Sequence, residues 1–179
     1  MHRNSLLQLL ENHKPFNQEE SQFKQQTIEF VNQNPDCFER SLLSGHITGS
    51  AWIVDKSRQF TLLTHHRKLD KWFQTGGHCD GDSDVLNVAL KEAMEETGLT
   101  DIQVISPNIF DIDIHEIPER KSVPTHLHYD VRFLLQADMN EPLIISSESS
   151  DLAWIEITDV SQLNDSQSIM RMALKGERE

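Results

Sequence analysis

The segment that most constrains this chain is residues 74–98, where a glycine-rich stretch, QTGGHCDGDSD, runs directly into VLNVALKEAMEETG. In the second part Leu86, Ala89, Leu90 and Ala93 recur at helical spacing. Gly98 sits where a helix normally stops, and Asp82, Ser83 or Asp84 can cap its start. The flanking text is strand-like. HITGSAWIVD (46–55) and QFTLLTHH (59–66) are separated by the turn-like Lys56-Ser57-Arg58 and predict a hairpin. Downstream, VISPNIFDIDIHEI (104–117) and THLHYDVRFLLQA (125–137) alternate, with Pro118 and Pro124 bracketing their connection; LAWIEI (152–157) is a further strand. Helix signals occupy 5–14, 18–33 and 159–175. Strands around one central helix, with helices at both ends, indicate an α/β sandwich with a mixed sheet rather than a doubly wound parallel fold. Residues 1–40 read as an N-terminal helical extension and 41–179 as the main domain.

On the central helix Glu92, Glu95 and Glu96 stand at i, i+3 and i+4, so one face carries three carboxylates. A hard divalent cation relieves their mutual repulsion and takes oxygen ligands. Upstream, Gly76-Gly77 lets a backbone approach a ligand closely and can offer a carbonyl oxygen. An acidic helix face is, however, often merely solvated, and Lys91 can pair with Glu95 across one turn.

The wider spacing adds weight. Gly77 followed by Lys91-Glu92-Ala93-Met94-Glu95-Glu96-Thr97-Gly98-Leu99 resembles the Nudix box, G-x5-E-x7-R-E-U-x-E-E-x-G-U with U aliphatic, without a gap over residues 77–99. HHRKL…WFQTGGHCDGD, DIDIHEIPER and HLHYD, within 65–82, 111–120 and 126–130, further resemble an uncharacterised bacterial branch of that superfamily. The resemblance implies a Nudix-type α/β/α sandwich that hydrolyses a nucleoside diphosphate linked to another moiety, with Mg²⁺ or Mn²⁺. It implies Glu92, Glu95, Glu96 and the Gly76 backbone as metal ligands. Glu92, Glu95 or the downstream Glu148 would act in catalysis, one glutamate activating the water. Two departures stand out: the first box glutamate falls on Ser83 and the box arginine on Lys91. Lysine keeps the charge but not the bidentate fork. Asp80, Asp82 or Asp84 could replace the carboxylate lost at 83. A catalytically silent module that binds a nucleotide or sugar diphosphate is the alternative. A prenyl-diphosphate isomerase, built on a related fold, would need Cys79 poised in an apolar pocket.

Period-two alternation puts Asp111, Asp113 and His115 on one strand face, and His126, His128 and Asp130 on one face of the next. If the strands pair, His115, His126 and His128 share a side, expected to look toward the carboxylate helix or a cleft next to it and to bind substrate. A His-x-His pair can also hold a transition ion, and a solvated sheet face is the ordinary reading. His65 and Lys68, in a cationic group before the glycines, are candidates for substrate phosphates.

The formal charge is −13, from 16 basic and 29 acidic residues, which disfavours a nucleic acid polymer or a membrane surface as partner. A small-molecule diphosphate is the expected partner, and a homodimer is among the assemblies the chain allows. The apolar patch at 6–10 lacks the length of a secretory leader, and Cys37 and Cys79 form no disulfide or metal spacing. A cytoplasmic setting is the expectation.

Overall fold

The computed structural model describes residues 2–67, 69–120, 123–146 and 149–176. Lys14-Pro15 separates helix α1 (Asn4–Asn12) from α2 (Gln18–Gln33). The Asn17 side chain caps α2 by accepting from the Glu20 amide at 2.9 Å. The central helix is α3 (Val85–Thr97), capped by the Asp84 side chain and stopped by Gly98 in the left-handed conformation, φ 74°. The helix expected over 159–175 is broken: a short 3-10 turn and α4 (Val160–Leu163) are followed, after Asn164, by α5 (Gln167–Gly176).

The sheet is mixed. β1 (Gly45–Val54) runs parallel to β7 (His126–Gln136), from Gly45 opposite Leu127 to Val54 opposite Gln136. The other pairings are antiparallel. β2 (Phe60–His66) joins β1 through Ile53–Leu62 and Val54–Thr61, the expected hairpin. β3 (Lys71–Phe73) and β8 (Ser149–Glu156) flank β2; β5 (Gln103–Val104) and β6 (Asp111–Ile117) both pair with β7. β4 (Thr75–His78) pairs with Thr48–Ala51 in the middle of β1, which β2 leaves open. β3 and β4 were not legible as strands.

β1 is buried along its whole length: α3 covers one face, α4 and α5 cover Trp52 and Val54 on the other, and side chains of β4 and β7 cover the rest of it. Ile47, Ala51 and Ile53 pack with Val131, Phe133 and Ile112 against α3, and Leu6, Leu10, Phe30 and Val31 of the N-terminal helices join the same core. The helices expected as an extension thus share the main hydrophobic core. On the other face Trp52, Val54 and Leu134 pack under Val160, Ile169 and Met172 of α4 and α5. This is the α/β/α sandwich. No helix among the described residues is long and apolar enough to cross a membrane.

Candidate active site

β4 brings the glycines and the carboxylate helix together. The Gly76 amide donates to Glu96 Oε1 at 2.8 Å. Glu92 lies against Gly77: a Cβ built there would sit 2.4 Å from the Glu92 Cδ. Glu92 and Glu96, one turn apart, therefore both meet the β4 backbone. Glu95 stands on the exposed flank, 3.7 Å from Lys91, with both side chains well over half exposed. Such a pair contributes at most about 1 kcal/mol.

The loop before α3 is tied up locally. Asp80 pairs with Arg40 through both carboxylate oxygens. Asp82 accepts from the Asp84 amide at 2.9 Å and from Asn87, and Asp84 caps α3 by accepting from the Asn87 amide at 3.1 Å. The three aspartates that could replace a carboxylate at Ser83 thus each have a local partner. Cys79 is buried beside them. Burial pushes its thiol well above the ordinary range and Asp82 adds to this, which argues against a nucleophilic or acid–base cysteine.

His115 faces His128 across β6–β7, and His126 lies two residues before His128 on the same strand, so the three share one face. That face is not the one α3 covers. Gly49, whose Cβ would meet Val85 O at 2.7 Å and Ala89 N at 3.2 Å, marks the α3 side; His46, Thr48 and Ser50 alternate to the other. The histidines therefore do not look toward the carboxylate helix itself, one of the two placements expected of them. Ile112 and Tyr129 do occupy the opposite layer, Tyr129 stacked on Phe30 at 3.9 Å between centroids.

The polar face holds more than the sequence disclosed. His46 stands opposite His128, and His78, at the end of β4, stands opposite Thr48. The His46, His78 and His128 rings lie 4.8–5.0 Å apart between centroids. Burial, reinforced by His78, pushes His46 down to about 4; burial, with His115 and His78 next, pushes His128 down to about 3. Beyond them Asp130 accepts from Thr48 at 2.8 Å, Ser50 at 2.7 Å and Arg132 at 2.7 Å. Asp111 accepts from Arg132, Arg171 and Lys175, and Asp113 from Arg171 and His115. Lys175 also reaches Glu20 of α2. The only sequence signal for His46 and His78 was their place in strand-like or glycine-rich text.

His65 is bound elsewhere, to Ser150 Oγ of β8 at 2.5 Å and to Asp70 at 3.2 Å. Lys68 and Glu148 lie outside the described residues.

The family model described as NUDIX domain matches residues 46–174. Among solved structures the chain is similar to a Caenorhabditis elegans Ap4A hydrolase binary complex, with a TM-score of 0.55 and 16% identity over 74% of this chain and 95% of that one. It is similar to a NUDIX-family hydrolase from Clostridium perfringens, TM-score 0.52, 20% identity, over 74% and 97% of the two chains. It is also similar to the NUDIX domain of Shewanella oneidensis NrtR complexed with ADP ribose, TM-score 0.52, 16% identity, over 85% and 96%. At these identities the likeness shows the fold. The comparison with curated proteins gives no match.

Proposed function

The chain belongs to the Nudix domain family, and on that premise we propose that it is a metal-dependent pyrophosphohydrolase cleaving a nucleoside diphosphate linked to another moiety. Family membership supports a pyrophosphohydrolase enzyme; the metal and the substrate class are the proposal. The observation that carries it is the pairing of two α3 carboxylates with the two β4 glycines, Glu96 on the Gly76 amide and Glu92 against Gly77.

The donor set fits a hard cation. Glu92, Glu95, Glu96 and the Gly76 carbonyl offer only oxygen, which suits Mg²⁺ or Mn²⁺. When bound, such an ion supplies charge neutralisation at the phosphoryl oxygens. The protein's own part is positioning. The Gly76 amide fixes Glu96, so one carboxylate is held before any ligand arrives. Glu95, solvent-facing, is the proposed base, taking the proton of the attacking water as its oxygen bonds to phosphorus and the bridging P–O bond breaks; Glu92 and Glu148 are the alternative bases. For substrate recognition His65 and Lys68 are the proposed contacts to terminal phosphates; His115 and His126, on the sheet face turned away from α3, would meet only a part of the substrate that extends past the sheet edge.

Ser83 and the engaged aspartates around it favour a second reading, a silent diphosphate-binding module. One experiment separates the two. Products are measured from dinucleoside polyphosphate, sugar-nucleotide and nucleoside triphosphate substrates with Mg²⁺ or Mn²⁺, with and without chelator. Turnover that stops with chelator supports the hydrolase. Binding without turnover on any substrate supports the module, and full turnover in excess EDTA overturns metal dependence.

A further inference from the structure

His46, His78 and His128 come from three different strands, yet they place one nitrogen each within 4.8 Å of the others. We propose that these three imidazoles form a site for a borderline divalent transition cation, Zn²⁺ or a chemical relative, separate from the carboxylate helix.

The ring spacing is the first argument. A histidine nitrogen bound at 2.0–2.1 Å puts its ring centroid about 3.2 Å from the ion, so two rings at the tetrahedral angle have centroids about 5.2 Å apart. The three observed separations are 5.0, 4.8 and 5.0 Å, close to an equilateral triangle of that size. Bound nitrogens would stand about 3.4 Å apart. The nitrogens now lie within 4.8 Å of one another, so the rings must turn inward to reach that value.

The second argument is polar satisfaction. His46 is 2% exposed, and among the described residues neither of its ring nitrogens has a hydrogen-bond partner; Nε2 of His128 has none among them either. Buried polar atoms are ordinarily paired, and those that are not need a reason. An ion at the centre of the triangle gives these nitrogens one. The Leu42 backbone lies beside His46 and interacts with its ring. It is placed to take the second N–H of that ring, as outer partners of metal-bound histidines do.

The donor type sets the ion. Three neutral imidazoles suit Zn²⁺, Co²⁺ or Ni²⁺, whereas Mg²⁺ and Ca²⁺ prefer oxygen. Asp130 and Asp80 lend negative field nearby, although Arg132 and Arg40 offset much of it. The site spans β1, β4 and β7, so an ion there would pin β4, the strand that carries Gly76 and Gly77, to the sheet centre.

The test uses the whole chain, stripped of metal and titrated with Co²⁺. The expected result is one equivalent with the intense visible absorption of a tetrahedral site. It should persist when Glu92, Glu95 and Glu96 are all changed to Gln, which removes the hydrolase site. His46→Gln and His128→Gln, confirmed as folded by circular dichroism, should each weaken binding by at least about 100-fold. On the unmutated chain, one equivalent of Zn²⁺ should shift the imidazole ¹⁵N resonances of these three histidines. An octahedral spectrum only, binding that vanishes with the glutamates, or unmoved resonances would overturn the proposal.

Discussion

The carboxyl group of Glu92 occupies the space that a side chain at Gly77 would need, with Cδ and both oxygens 2.4–2.7 Å from the position of a Cβ. The strand is thus bare where the helix presents its acid. The obstructing atoms are the far end of a flexible side chain, so Gly77→Ala can be accommodated by moving Glu92 away. The expected outcome is a change in unfolding free energy below about 1 kcal/mol with a fall in kcat of about 100-fold, since misplacing a reacting group by about 1 Å has that effect. Urea unfolding and steady-state kinetics on the same variant check both halves. A normal kcat would show that Glu92 is not held by this contact for a purpose.

Glu96 and Glu95 divide the remaining work. In Glu96→Gln an amide oxygen can still accept from Gly76, so the fold should persist while the charge is lost. Among the described residues Glu95 makes an exposed ion pair with Lys91, so Glu95→Gln should leave stability unchanged. Each should lower kcat by about 100- to 1,000-fold, the usual effect of removing one electrostatic contributor. If Glu95→Gln turns over normally while Glu96→Gln does not, the base lies elsewhere.

Much of this arrangement was legible because it is local. Asp84 and Gly98 bound α3 through short-range capping chemistry, and alternation in Asp111–His115 and His126–Asp130 fixed which side chains share a face. Long-range placement was not legible. β3 and β4 lack strand-forming composition, and β4 pairs because β1 leaves an open edge for it. The side of the sheet on which α3 packs follows from the close approach at Gly49, which the sequence does not announce. His46 and His78 meet His128 only through strand order. Arg171 and Lys175 look like the solvated face of an amphipathic helix, yet they are 3% and 8% exposed because their partners Asp111 and Glu20 are buried opposite them.

That network gives a stability prediction. Arg171 donates to Asp111, Asp113 and the Ile112 carbonyl at 2.8–3.0 Å. Arg171→Met would leave these acceptors buried with one cation fewer. Breaking a buried ion pair by removing one partner costs about 3–5 kcal/mol. For a chain of this size a 3–5 kcal/mol loss should lower Tm by about 10 °C. A calorimetric shift of only a degree or two would mean that Arg132 and Lys175 suffice.

Glu20 makes the acid limb of stability testable. It is fully buried and accepts from His13 at 2.8 Å, Lys175 at 2.5 Å and the amides of Phe16 at 2.6 Å and Ile112 at 3.1 Å. Burial alone would push its carboxyl up, but the hydrogen bonds from His13 and Lys175, then Phe16, outweigh it and hold it at about 2, below the ordinary 4.5. The unfolded chain therefore binds this proton first as pH falls. Glu20 contributes its full stability above about pH 4.5 and loses it progressively as pH drops through about 2. Glu20→Gln removes the titration while keeping an acceptor oxygen. The gap in unfolding free energy between the native chain and Glu20→Gln should be constant from pH 7 to about 5 and shrink steadily toward pH 2. Urea unfolding at half-unit pH steps measures it. A gap that stays flat to pH 2 would show that Glu20 does not take up this proton differently in the folded and unfolded states.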